Sequence, residues 1–140
     1  MRYLTLKEAA IFHGHLGPFL TIGYRAGELA RRILNPINEH DLQAKLILPL
    51  KRPYTCIIDG VQCSTKCTLG KLNIRVIDNK EDEASIIMEF ICLSRRKGIR
   101  LRVKENIIRN ISKIKDFKEG ANWVSSLSVE ELFEVSMINI

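Results

Sequence analysis

The stretch SIIMEFICLSRRKGIRLRVK, residues 85–104, decides the architecture. Residues 85–93 are rich in branched and aromatic side chains, the composition of a central strand. A turn follows at Arg96-Lys97-Gly98, and IRLRVK (99–104) then alternates. Arg100, Arg102 and Lys104 face one way there, and Leu101 and Val103 face the other. Upstream, LNIRVID (72–78) alternates in the same manner, and NKED (79–82) supplies the intervening turn. KLILPL (45–50) reads as an earlier strand, cut short by Pro49 and Pro53.

Helical periods surround these strands. Residues 6–11 form a short helix. PFLTIGYRAGELARRIL (18–34) carries an apolar stripe of Phe19, Ile22, Ala26, Leu29 and Ile33. Pro18 suits the first helical turn, where its missing N–H would be unpaired anyway, and Asn35-Pro36 ends the helix. Gly23 and Gly27 lie four apart on a neighbouring face, a costly choice for helix stability unless another helix must come close. TCIIDGVQCSTKCTLG (55–70) fits a helix capped by Gly70. Residues 105–140 read as a helical tail, with Ser128-Val129-Glu130-Glu131 as a capped start. The order predicts one α+β domain, a mainly antiparallel sheet with helices packed on one face.

Composition sets outer bounds. The chain has 140 residues, 46% of them apolar, enough to bury a core without staples. Apolar runs such as Ile86-Ile87-Met88 fall far short of the ~20 residues that a membrane span needs. The N-terminus lacks the pattern of a secretion signal, so a soluble, cytoplasmic protein is expected. Cys56, Cys63, Cys67 and Cys92 are then free thiols or metal ligands rather than disulfides. The net charge of +6 favours anionic partners.

Two constellations carry chemistry. His13 and His15 flank Gly14, two of only three histidines in the chain. If that segment is extended they project the same way, ahead of a helix N-terminus that attracts anions. On a helix over residues 55–67, Cys56, Asp59, Cys63 and Cys67 fall within about 80° of one another, at about 100° per residue. Cys63 and Cys67, four apart, can grip one soft ion. A pair of hydrogen-bonded histidines and a stripe of small apolar thiols are the plainer alternatives. Lys71 is a candidate anion clamp or proton donor, and Arg25 a surface ion pair. Arg95, Arg96, Arg100 and Arg102 could track phosphates. The interleaved residues are aliphatic, without the aromatics used for base stacking, so a solvated or intersubunit face is expected rather than a nucleic-acid interface.

FHGHLGPFLTIGYRAG (12–27) and DGVQCSTKCTLGKLNI (59–74) together resemble the FmdE family, named for the E chain of formylmethanofuran dehydrogenase. The matching residues are His13-Gly14-His15, Gly23-Tyr24-Arg25-Ala26-Gly27, Asp59-Gly60-Val61-Gln62 and Cys67-Thr68-Leu69-Gly70-Lys71-Leu72-Asn73. The resemblance implies an α+β core, commonly dimeric, whose histidines and cysteine meet in a cleft able to hold a divalent metal such as zinc. His15 and Cys67 are the leading ligands on that carry-over, with His13 next, and Cys63 joins them from the helix geometry. Lys71 and His13 are the catalytic candidates, and Gln62, Thr68 and Tyr24 the substrate-binding ones. Gly17 stands where many members have cysteine, Lys66 and Leu72 stand where the pattern has glycines, and no cysteine follows Cys92 to build a C-terminal zinc finger.

Two functional readings follow. In the first, the metal keeps an open coordination position and polarises a small substrate or activates water, while Lys71 stabilises negative charge. In the second, the chain is a non-catalytic accessory component of a molybdenum- or tungsten-type redox complex, docking through the Gly23/Gly27 face and the basic strand.

Overall fold

The computed structural model describes all residues from 1 to 140 except Glu81 and Glu83. Two helices open the chain, α1 (Leu6–His13) and α2 (Pro18–Leu34). Strand β1 (Leu42–Leu48), helix α3 (Cys56–Thr65), a 3-10 turn (Leu69–Lys71) and strand β2 (Ile74–Asp78) follow. Then come β3 (Ile87–Cys92), β4 (Lys97–Val103), α4 (Glu105–Ser112), α5 (Phe117–Ser126), α6 (Val129–Leu132) and β5 (Phe133–Asn139). The turn expected at 79–82 includes Glu81, which lies outside the described residues.

The five strands form one sheet in the order β2-β1-β3-β4-β5. Only β1 and β2 run parallel, with Ala44 opposite Ile74, because α3 carries the chain back to start β2 in the same direction. The other pairings are antiparallel, and β3 and β4 pair across the short turn expected between them. The fold is α+β. Period-2 alternation in β1 buries Leu42, Ala44, Leu46 and Leu48, while Gln43 is exposed and Lys45 and Ile47 are half-buried. Phe90 and Met88 of β3 and Leu101 of β4 join the same core as Ile22 and Leu34 of α2.

The expected glycine face of α2 is an internal contact. A Cβ on Gly23 would sit 2.1 Å from the Ile57 carbonyl oxygen, and one on Gly60 would sit 2.2 Å from that of Leu20. A Cβ on Gly27 would sit 2.0 Å from Ser64 Oγ. Missing side chains thus let α2 and α3 cross almost backbone to backbone. α3 covers this face, so it is not the docking surface that the second reading assigned to it.

Two expectations change at the ends of elements. Helix α3 stops at Thr65, and its left-handed cap is Lys66 (φ 65°) rather than Gly70. Ser64 Oγ donates to the Gly60 carbonyl at 2.9 Å and Thr65 Oγ1 to that of Val61 at 2.6 Å. Thr65 Oγ1 also accepts from the Cys67 N–H at 3.0 Å. Side-chain hydroxyls that compete for backbone partners end the helix there. The tail is helical only as far as Leu132, and residues 133–139 form β5 instead. FEVSMIN has the alternation of a strand, and it covers the otherwise bare hydrogen-bonding edge of β4.

Arg25 is not a surface ion pair either. Its guanidinium donates to the carbonyls of Val124, at 3.0 Å, and Leu127, fastening α2 to the end of α5.

Candidate functional site

Helix α1 begins at a capping box in which Thr5 and Glu8 exchange hydrogen bonds of 3.1 and 3.0 Å. This fixes where the helix starts, and His13 falls at its last position. Gly14, at φ 112°, adopts a left-handed turn that L side chains resist. The chain then passes His15 and enters α2 at Pro18 through Gly17, an N-cap without a side-chain hydrogen bond.

His13 is held by α3. Its Nδ1 lies 2.6 Å from Asp59 Oδ2, and the two side chains are 12% and 32% exposed. An ionised carboxylate only accepts, so in the neutral ring the proton sits on Nδ1 and the lone pair on Nε2. That Nε2 is buried with no hydrogen-bond partner among the described residues. Asp59 is itself braced, since Gln62 Nε2 donates to its Oδ1 at 3.3 Å. The His15 ring lies 4.8 Å from the His13 ring and 5.1 Å from Phe117 of α5, centroid to centroid.

His15 borders a mostly apolar cavity of about 750 Å³. Gly17, Pro18, Phe19 and Leu20 at the start of α2 line it, with Tyr54 and Cys56 ahead of and at the start of α3. Ile108, Ile111, Ile114 and Phe117 from the tail complete the apolar wall, and Arg52 adds a cation. A second cavity, of about 680 Å³, has a mixed polar and apolar lining and holds a different set of expected residues: Gln62, Cys63, Thr68 and Lys71, together with residues 1–4. Lys71 Nζ donates to Thr68 Oγ1 there, at 2.8 Å. Tyr24 borders neither cavity. Its hydroxyl donates to the Leu4 carbonyl at 2.8 Å and so ties down the segment that walls the second one.

His15 and Cys67 do not share a cavity. Cys67 is fully buried in the main core, and its thiol donates to the Leu42 carbonyl at 3.2 Å. The turn at Lys66 has taken it off the helical stripe. Burial pushes its thiol up to about 11, against the opposing pull of Thr65 and Lys71. Cys63 packs with Ala9 and Tyr24 in a small separate cluster. Burial, and then the Asp59 charge, push it up to about 11 as well. Thiols held in that range stay protonated near neutrality in the metal-free protein. Among the described residues, no three His, Cys, Asp or Glu side chains gather to hold a metal.

The two imidazoles fit a metal better than the thiols do. A histidine that gives Nδ1–H to a carboxylate and keeps Nε2 unshared has the arrangement of a metal ligand and its supporting partner. A Cβ on Gly17 would lie 3.4 Å from His15 Nε2. This chain therefore has no side chain in the place beside His15 where the family pattern puts a cysteine.

Sequence reasoning missed the roles of Asp59 and Gln62. Asp59 stood on the cysteine stripe, but its pairing with a histidine 46 residues away needed the fold.

A family model described as FmdE, molybdenum formylmethanofuran dehydrogenase operon, matches residues 12–134. The chain belongs to this FmdE family. It is also 33% identical to a protein of Archaeoglobus fulgidus named probable S-adenosyl-L-methionine-binding protein. That alignment, 161 positions long, covers 96% of this chain and 42% of the relative. The chain thus spans less than half of that relative's length. No helix among the described residues is long and apolar enough to cross a membrane.

Proposed function

We propose that the chain is a small-molecule-binding domain whose reactive centre is His13, with the His15 cavity as the seat of the ligand. The observation that carries this reading is the buried, unpartnered His13 Nε2, opposite a ring nitrogen held at 2.6 Å by Asp59. In this reading His13 and His15 hold a divalent ion such as zinc, which when bound would supply Lewis-acid polarisation of a substrate oxygen. Asp59 orients the His13 ring and strengthens its donor nitrogen. Phe19, Tyr54 and Phe117 offer apolar faces to a flat group, and Arg52 a charge for an anionic one.

The name of the Archaeoglobus relative makes S-adenosyl-L-methionine the first ligand to try in this cavity. Its volume suits a ligand of that size. The family description names a dehydrogenase operon, which supports assembly with larger redox subunits as a second reading. That reading predicts co-purification with them, while homodimers alone from the native source would speak against it.

Metal analysis of tag-free protein tests the first reading. Zinc should bind near stoichiometrically, His13→Ala should abolish it, and Asp59→Asn should weaken it roughly 10–100-fold. Cys67→Ser should leave metal content unchanged. Less than about a tenth of an equivalent in the parent protein after zinc addition would end this reading.

A further inference from the structure

We propose that Gln62 is a positioning residue for His13, acting through Asp59 to decide which ring nitrogen keeps its lone pair. The inference rests on the reading of His13 as the reactive centre, and it extends that centre to a residue that borders the other cavity.

The Gln62 amide has one workable orientation. Its Oε1 accepts from the Leu69 N–H at 2.9 Å, and its Nε2 donates to Asp59 Oδ1 at 3.3 Å. Flipping the amide would set oxygen against carboxylate and NH₂ against N–H, losing both bonds. Leu69 opens the 3-10 turn, which is anchored in turn. The Thr68 N–H donates to Asn73 Oδ1 at 2.8 Å, and the buried Asn73 Nδ2 donates to the carbonyls of Glu39 and Leu42. Gln62 therefore bridges a fixed piece of main chain to Asp59.

Both Asp59 oxygens are engaged, Oδ1 by Gln62 and Oδ2 by His13. The carboxylate is about a third exposed, so without Gln62 it can swing toward water and leave Nδ1. A neutral imidazole without a partner prefers its proton on Nε2, and only a fixed acceptor at Nδ1 reverses that choice. With Nδ1 released, the proton moves to Nε2, and the atom that the proposed function uses is blocked. The 3-10 turn that holds Gln62, with its N-cap Thr68, also lines the second cavity. Gln62 borders that cavity too, and two consecutive side-chain hydrogen bonds lead from it through Asp59 to His13.

The test is the tautomer of His13, read from ring ¹⁵N shifts of histidine-labelled, metal-free protein at a pH where imidazole is neutral. The parent should show mainly Nδ1–H, and Asp59→Ala mainly Nε2–H. Gln62→Met keeps the length and apolar bulk of the side chain, and it should move His13 at least halfway toward the Asp59→Ala pattern. His40, an exposed histidine, should not change in any variant. A Gln62→Met protein with the parental His13 pattern would overturn the proposal. Should that variant fail to fold, Leu69→Pro removes the N–H that anchors Gln62, at the first position of the 3-10 turn and at a side chain 70% exposed. It should shift His13 in the same direction by a smaller amount, and no shift there overturns the proposal equally. Because the readout needs neither metal nor ligand, absence of zinc binding would sink the proposed function and leave this result standing.

Discussion

Asp41 illustrates how much one buried carboxylate can hold. It is 6% exposed and accepts hydrogen bonds from the N–H groups of Ile37 and Ser94, the Ser94 hydroxyl and the Cys92 thiol, at 2.6 to 3.2 Å. Burial alone would push its carboxyl up, but the hydrogen bonds outweigh burial and hold it at about 2, below its ordinary 3.8. The folded value lies below the unfolded one, so the contribution is full above about 4 and is lost as pH falls toward 2. A shift of that size corresponds to roughly 2 kcal/mol. Asp41→Asn should lower the stability measured by denaturant at pH 7 by about that much, and the gap from the parent should close near pH 2. A gap independent of pH would refute the assignment. Nothing in the sequence around Asp41 marks it out, because its partners come from the loop before β1 and the turn after β3. That the two histidines lie together was legible from their spacing, whereas the carboxylate partner of His13 was not, since that contact joins two separate helices.

Among the elements, α2 was readable from end to end. The proline at its start and Asn35 at its close agree with the observed Pro18–Leu34, while the end of its expected apolar stripe differs, because Ala30 and Leu34 are buried there and Ile33 is exposed. Even its glycines announced a close neighbour. The contact makes a sharp prediction. Gly23→Ala drives a Cβ into main chain that cannot move aside, and should cost about 3 kcal/mol or fail to fold. Gly70→Ala meets open space and should change stability by less than about 0.5 kcal/mol. A larger loss at Gly70 would revive its role as a helix cap. Helix α3 was legible only in part, because a pattern of residue types records which side chains share a face but not where hydroxyls will unpick the backbone. The expectation that Cys63 joins Cys67 at one ion depended on an unbroken helix, which would have kept the two thiols in line.

Across the molecule, the least legible region turned out to shape the candidate cavity. Residues 105–140 carry no chemical motif, yet α4, the segment after it and the first residue of α5 provide four of the apolar side chains lining the cavity that His15 borders. Phe117 is 61% exposed while lying against the His15 ring. Phe117→Ala should therefore leave the melting temperature within about two degrees of the parent, since little buried area is lost. Binding of a flat apolar ligand should weaken about fivefold to tenfold with the stacking face gone. A large drop in melting temperature would mean that Phe117 serves the core instead. The clasp between the two halves has a further consequence. Arg25 grips main-chain oxygens at the end of α5, so it is blind to whatever side chains that helix displays. Substitutions along α5 can therefore alter the cavity wall and leave the fastening in place. Under the proposed function, ligand preference can then drift from lineage to lineage while the His13–Asp59 pair is kept.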